Sequence, residues 1–376
     1  MSLRSSEENR EGAPSPDRRR ARSVQAGRLG TKEEPSWPAA LALALIVQSR
    51  YCAWPPRSST MGKGLPSLIF MGTPEFALPS LKALIAAGAP ILLVVTRPDR
   101  PKGRGQKLSP PPVKELAMAQ GLPVFQPGRV KSPEVISRVE ALAPACLVVV
   151  AYGQLLAERL LKIPALGTVN LHASLLPKYR GAAPIPWALI EGETVTGVTT
   201  MLLDPGMDTG DMLLSREVPI GPEDTGGSLH DRLAEVGASV LVETLARLAD
   251  GSLRPRPQDH SGATYAPMIH PEDCRVNWRE EAERVSGRIR ALDPWPGAFT
   301  LWQGKRLKLF GCRALSSGAL GALSGTVLAS GPEGLDIAAG GGAVRIRSLQ
   351  LEGRRRLGVV DFLKGYQLTV GTVLGE

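Results

Sequence analysis

Residues 167–181 read GTVNLHASLLPKYRG, and the fold turns on how that run is read. It is apolar and strand-like, and in an extended segment successive side chains point to opposite faces. Asn170 and His172 therefore share one face. In a chain with only four histidines, such an imidazole is either a satisfied core group or a group at the edge of a cleft. Its surroundings decide which.

Apolar runs alternate with helical stretches on both sides of this segment. LPSLIFMG (65–72), APILLVVT (89–96) and CLVVVAY (146–152) read as strands. CLVVVAY has almost no polar alternation, as expected when helices cover both faces. PEFALPSLKALIAAG (74–88) reads as a helix opened by Pro74 after Thr73, since proline suits a first helical turn. PVKELAMAQ (112–120), LLAERLLKI (155–163), PIPWALIEGE (184–193) and the long run at 227–251 are further helices, and GVTTMLL and DMLLSREVPI are further strands. This rhythm predicts an α/β fold, a doubly wound and mostly parallel Rossmann-like sheet. Residues 251–266, with two Arg-Pro pairs and two glycines, read as a linker. Beyond them lie a helix, REEAERVSGRIRAL, and five short glycine-punctuated β segments between 298 and 353. They predict a small OB-like β-barrel. The expected organisation is a 1–60 extension, a catalytic domain over 61–250, a linker at 251–266 and the OB-like domain over 267–376.

Residues 1–60 are polar, rich in Pro and Gly and without periodicity, which predicts disorder. Their apolar run AALALALIVQ falls short of the ~20 residues needed to cross a bilayer. Acidic residues Glu7, Glu8, Glu11 and Asp17 argue against an acidic-poor transit peptide. The simplest expectation is a start codon assigned too early, with Met61 as the first residue. The formal charge is +9, and its excess lies in 1–60 and 267–376 around a nearly neutral middle. Any polyanion contact is then peripheral to the main core. Cys52, Cys146, Cys274 and Cys312 are scattered, without CxxC spacing, so no zinc site or disulfide framework is indicated and a reducing compartment is the default. GTP at 72–74 lacks the further glycines that a dinucleotide fingerprint needs.

In an open parallel sheet functional residues gather at the carboxyl ends of strands, where Asn170 and His172 fall. The strand GVTTMLLD leads into PGMDTGD, so Asp204, Asp208 or Asp211 can join them if the two strands are neighbours. The segment NLHASLLPKYRGAAPIPWAL followed by GMDTGD resembles the formyltransferases that use 10-formyltetrahydrofolate. That resemblance implies a catalytic trio of Asn170, His172 and Asp208. It also implies a folate site along Ser174, Leu175, Leu176 and Pro177, with AYGQLL (Tyr152, Gln154, Leu155) receiving the pteridine. The chemistry agrees. An amine attacking a formyl carbon places negative charge on the formyl oxygen, and a preplaced donor there is typically worth ~3–4 kcal/mol. A neighbouring carboxylate orients an imidazole and favours its protonated form. No metal is demanded.

Several formyl acceptors share such a core: a ribonucleotide amine, an amino sugar, water in a formyltetrahydrofolate hydrolase, or methionyl-tRNA. A long loop after the second strand, TRPDRPKGRGQKLSPPP, sets Arg97, Arg100, Lys102, Arg104 and Lys107 against Asp99 alone. Long loops of this kind usually function. Together with a basic OB-like domain, a type that commonly binds nucleic acid, it resembles the methionyl-tRNA branch of the family. ATYAPMI, IRALDPWPGAF and DFLKGYQL extend the likeness from about Leu68 to the C-terminus. The implied acceptor is initiator methionyl-tRNA, with Arg100, Lys102, Arg104 and Lys107 on its acceptor stem. A monomer in the bacterial cytosol is expected, with a mitochondrial matrix setting as the alternative. Trp295 in DPWPG reads as interdomain packing, and Arg354 to Arg356 as either a phosphate contact or a solvated turn.

Overall fold

The computed structural model describes residues 64–102, 105, 107–315 and 321–375. The expectations for the 1–60 extension, a start at Met61 and Arg104 lie outside them. Short apolar runs form β1 (Leu68–Gly72) and β2 (Ile91–Val95), and the basic loop supplies a hairpin, β3 (Arg100–Lys102) with β4 (Lys107–Ser109). Then follow β5 (Val124–Phe125), β6 (Cys146–Val150), β7 (Thr168–His172), β8 (Val195–Leu202) and β9 (Met212–Pro219). All but the hairpin join one seven-stranded sheet in the order β5-β2-β1-β6-β7-β8-β9. Pairings from β5 through β7 are parallel, and those of β7 with β8 and β8 with β9 are antiparallel.

The period of two divides each parallel strand between two cores. Leu68 and Phe70 of β1, Val94 of β2, and Cys146, Val148 and Val150 of β6 enter the larger core. Ile69 and Met71, Leu93 and Val95, and Leu147 and Val149 enter the other. Each fully buried side chain of this size is worth about 1.5–3 kcal/mol, so no single residue carries the sheet. The larger face is covered by α1 (Leu78–Ala86), α2 (Pro112–Ala119) and, later in the chain, a long helix. The smaller is covered by α3 (Pro133–Leu142) and the one-turn α4 (Glu158–Leu161), through Val135, Val139 and Leu160. The sheet is doubly wound, as the alternation implied.

Local starts differ in detail from expectation. Pro74 does not open α1: a 3-10 turn, Glu75–Ala77, intervenes, and the proline in the first turn of α1 is Pro79. The helix expected over 155–163 is only the single turn α4. After β7 the chain forms α5 (Pro184–Ile190), and after β9 the long helix α6 (Gly226–Ala249). Thr225 caps α6 by accepting the Ser228 amide, while Ser228 Oγ accepts the Thr225 amide, satisfying two otherwise unpaired donors.

Helix α7 (Ala282–Ala291) precedes β10 (Phe299–Trp302), β11 (Lys305–Leu315), β12 (Val327–Gly331), β13 (Gly334–Ala339), β14 (Gly342–Leu351), β15 (Leu357–Gly358) and α8 (Val359–Gly365). The strands form an antiparallel sheet ordered β10-β11-β14-β13-β12, with β15 also on β14. Among the described residues no strand pairing closes the expected barrel. Instead the C-terminal tail spans the gap: Val327 donates to Thr372 and Leu374 to Gly325 on one side, and Gly375 donates to Leu301 on the other. Helix α7 packs against both α5 and β11. A Cβ on Gly287 of α7 would lie 2.4 Å from the Leu189 carbonyl oxygen, so only glycine permits that approach. One hydrophobic core runs from Leu68 to Leu374 through this contact.

Cys146, Cys274 and Cys312 are free and buried, and burial pushes the thiols of Cys146 and Cys312 up to about 12. Trp295 is 82% exposed, which overturns the packing role expected for it. Arg356 is held by Asp293 at 2.9 Å and lies over the Phe310 ring, so its place in the fold is structural. Among the described residues no helix is long and apolar enough to cross a membrane.

Candidate active site

Alternation fixes the site. Val169 and Leu171 of β7 face the larger core, and Leu171 packs so tightly on α6 that a Cβ on Gly237 would lie 2.7 Å from its Cδ2. Asn170 and His172 must then point to the opposite face. Asn170 is half-buried there, and His172 is 6% exposed. The imidazole is buried but has polar partners on both ring nitrogens' sides. Its Nε2 lies 2.9 Å from the Tyr179 carbonyl oxygen, which can only accept, so Nε2 carries a proton. Its Nδ1 lies 3.8 Å from Asp208 Oδ2. The same carboxylate oxygen accepts the Gly181 amide at 2.8 Å.

Asp208 reaches this position by an indirect path. Because β8 is antiparallel to β7, Leu202 pairs with Val169 and Thr199 with His172. The turn after β8 therefore starts at the far end of β7 from His172. Residues 203–211 have to fold back along β7 to deliver the carboxylate. Gly210 seats this turn: a Cβ there would lie 1.9 Å from the Leu202 carbonyl oxygen. Of the three candidate carboxylates, Asp204 is occupied by Thr209 Oγ1 and the Gly206 amide. Asp211 has its carboxyl held above the usual range by burial and by the charge of Asp204. Asp208 is the one beside the imidazole. The two residues that flank the imidazole both take left-handed backbone, Tyr179 at φ 59° and Asp208 at φ 52°. Such conformations persist in non-glycine residues where surrounding contacts over-determine them, as at functional sites.

The segment after β7 is braced from several directions. The hydroxyl of Ser174, fully buried, donates to the Lys178 carbonyl at 2.6 Å, and Thr199 Oγ1 donates to the Ser174 carbonyl at 2.8 Å. Leu176 is buried, while Leu175 and Pro177 are half-buried. Of the SLLP segment, Leu175 and Pro177 are thus the side chains that reach toward solvent. Tyr179 donates its hydroxyl to Glu193 at 2.7 Å, and burial, then that carboxylate, pushes its phenol up. The AYGQLL loop after β6 is likewise fixed. Tyr152 is buried, its phenol has no hydrogen-bond partner among the described residues, and burial pushes its pKa above the usual value. Gln154 accepts the Val130 amide at 3.0 Å, and Leu155 is 66% exposed. Gln154 and Leu155, with Arg129, Val130 and Lys131, line a hollow of about 320 Å³.

The basic loop divides into anchor and tip. Arg97 donates to the Gly153 carbonyl at 3.0 Å, and Asp99 accepts from Lys114 and Gln126. Those hydrogen bonds, from Gln126 first, hold the Asp99 carboxyl low. Arg97 is therefore a brace rather than a free charge. Arg100 and Lys107 are exposed on the hairpin, Lys102 lies in β3, and Arg104 is outside the described residues.

Residues 67–245 match the family described as Formyl transferase, and residues 268–367 match Formyl transferase, C-terminal domain. The methionyl-tRNA formyltransferase of Geobacter sulfurreducens is 52% identical over 309 residues, 82% of this chain and 96% of that one. The chain belongs to the methionyl-tRNA formyltransferase family. The counterpart from Moorella thermoacetica is 49% identical over 82% of this chain and 99% of its own. Among solved structures the formyltransferase fold recurs in HypX from Aquifex aeolicus, crystallised with tetrahydrofolic acid. There the TM-score is 0.53 at 19% identity, covering 82% of this chain and 50% of that one. It recurs also in an N-formyltransferase from Helicobacter canadensis in complex with folinic acid and dTDP-3-aminofucose. That TM-score is 0.57 at 16% identity, over 74% and 98% of the two chains. The common face of Asn170 and His172 was legible in the sequence. The support from residues 251–266 was not: Gln258, 5% exposed, bonds the Asp208 turn, and nothing in a Pro-rich spacer signals that.

Proposed function

We propose that this chain transfers the formyl group of 10-formyltetrahydrofolate to the α-amine of initiator methionyl-tRNA. The observation that carries the acceptor is the 52% identity spanning 96% of a methionyl-tRNA formyltransferase. A structural neighbour crystallised with tetrahydrofolic acid supports a reduced-folate donor. In this reading the donor's ring system occupies the hollow beside Gln154 and Leu155, with its formyl group toward His172. An α-amine of pKa ~8 is about one-tenth free base at pH 7, and that unprotonated fraction is the nucleophile. Its nitrogen attacks the formyl carbon, the new C–N bond forms, and the carbonyl electron pair moves to oxygen. The Asn170 amide and His172 stabilise that oxygen as donors aimed at it before reaction. Asp208 faces the imidazole and stabilises its positive charge, and it accepts the amine proton directly or through water. Collapse of the intermediate then breaks the carbon–nitrogen bond to the folate, whose nitrogen takes a proton. Because Nε2 donates to Tyr179, the exchangeable position is Nδ1, on the Asp208 side.

Labelled formyl transfer decides the acceptor. Wild-type protein with a labelled formyl-folate is expected to place label on methionyl-tRNA and to release little formate without it. Rapid formate release in the absence of acceptor would make the chain a hydrolase instead. The basic hairpin and the C-terminal sheet hold the tRNA in this scheme, by a monomer in the bacterial cytosol. Arg104→Ala is then expected to raise KM for methionyl-tRNA at least tenfold while sparing a short aminoacyl substrate. The variant's log-affinity for tRNA should also fall less steeply with log salt, by a slope of about 0.7–0.9 for one lost phosphate contact. Equal damage to both substrates would remove the loop from tRNA recognition.

A further inference from the structure

Residues 246–267 lie between the two family matches, yet they are not slack. Arg256 and Met212 exchange both backbone hydrogen bonds, at 2.8 and 2.9 Å. Arg180 and Ala266 are joined by a 2.7 Å bond, and Leu253, Gln258 and Ala266 are buried. We infer that Gln258 is a positioning residue that fixes the catalytic carboxylate of Asp208 against His172. The inference rests on the role proposed above for Asp208.

Every bonding capacity of the Gln258 amide is used. Its Nε2 donates to the Asp208 carbonyl at 2.8 Å and to the Gly210 carbonyl at 2.7 Å. Its Oε1 accepts from Arg180 Nε at 3.2 Å and Nη2 at 2.7 Å. Arg180 is 2% exposed, and its Nη2 also donates to His260 Nδ1 at 3.0 Å. Gln258 thus clamps the backbone on both sides of Thr209, at the point where Asp208 takes φ 52°. Through Arg180 it ties that turn to the segment carrying Tyr179 and Gly181, which hold His172 and the Asp208 carboxylate respectively. Neither donor to the carbonyls can be replaced by a carboxylate, because a glutamate only accepts. Without the clamp, the strained turn is free to relax away from the 3.8 Å spacing, and small misplacements of this kind cost on the order of 100-fold in rate.

The test compares the full-length wild type with Gln258→Met, Gln258→Glu, Asp208→Asn and the double variant Gln258→Met/Asp208→Asn. The measurements are kcat, KM for the formyl-folate, and KM for methionyl-tRNA. Gln258→Met is expected to lower kcat about 10- to 100-fold while both KM values stay within about threefold. Gln258→Glu keeps the acceptor for Arg180 but loses the donors, and it should fall as far. The double variant should be no slower than Asp208→Asn, because residues acting through one group are not additive. If Gln258→Met fails to fold, Gln258→Glu carries the comparison, since it leaves the buried arginine paired. A Gln258→Glu enzyme with wild-type kcat, or a double variant whose losses multiply in full, would overturn the inference. Full activity in Asp208→Asn would remove the catalytic reading itself, a separate outcome.

Discussion

Replacing His172 by alanine is expected to lower kcat for formyl transfer about a thousandfold, with KM for methionyl-tRNA nearly unchanged. Two contributions are lost together. A donor aimed at a developing oxyanion is typically worth 10²–10³ in rate, and a positioned proton carrier 10²–10⁴. They do not multiply, because both act on the same transition state. In the scheme proposed above the tRNA is held mainly at the basic hairpin and the C-terminal sheet, which the substitution does not touch. Stability falls as well, since the Tyr179 carbonyl loses the donor 2.9 Å away at a cost of about 1–3 kcal/mol. His172→Gln separates the two effects. It offers an amide donor to that carbonyl and recovers much of the thermal midpoint, but it supplies no titratable nitrogen toward Asp208. A glutamine variant with more than a tenth of wild-type kcat would show that the imidazole's protonation is not used.

How much of this is legible in the sequence depends on how local each signal is. The parallel strands announced themselves because a strand buried on both faces must be apolar throughout, and Cys146–Val150 is buried at every position. Short strands of the second sheet were equally legible from glycine punctuation. Helix α3 and strand β5 were not. Two residues of strand, Val124 and Phe125, are too few to show a period, and α3 buries only Val135 and Val139. How the second sheet closes is equally hidden from the sequence. The tail at 372–375 completes the circuit with single backbone bonds, and such bonds leave no side-chain pattern.

The site divides along the same line. Asn170 and His172 lie two apart on one strand, so their common face follows from pleating alone. Asp208 was recoverable only through family resemblance, because strand order does not say that β8 reverses direction. Spacing could not choose among Asp204, Asp208 and Asp211. The choice depends on Asp204 being spent on Thr209 and Gly206, a three-dimensional fact. The folate segment carries a similar lesson. SLLP looked like a lining, but Ser174 uses its hydroxyl inside the turn, so only part of the motif is free to face a ligand.

Gly210→Ala should be the most damaging glycine-to-alanine substitution among the described residues, acting on stability and rate at once. The added methyl would sit 1.9 Å from the Leu202 carbonyl oxygen and 3.0 Å from its carbon. That obstacle is backbone, locked in turn by the Leu203 amide of the same peptide plane, which donates to the Thr168 carbonyl at 2.8 Å, so it cannot rotate aside. The turn must lift, and it carries Asp208 away from His172 while loosening the Gln258 bond to the Gly210 carbonyl. Overpacking of this severity costs about 3 kcal/mol, a drop of roughly 4 °C in thermal midpoint at ~2.1 cal/mol/K of unfolding entropy per residue in a chain of this length. The displaced carboxylate should cost about 100-fold in kcat beyond any loss of folded protein. Gly206→Ala is the matched control in the same turn. Its methyl would meet the Thr209 hydroxyl at 2.0 Å, a side-chain atom that can turn away at the cost of one hydrogen bond to Asp204, about 1 kcal/mol. Thermal melts and single-turnover rates for the two variants discriminate sharply. Equal, mild effects at both glycines would mean that the turn flexes freely, and that the position of Asp208 is not set by the backbone beneath it.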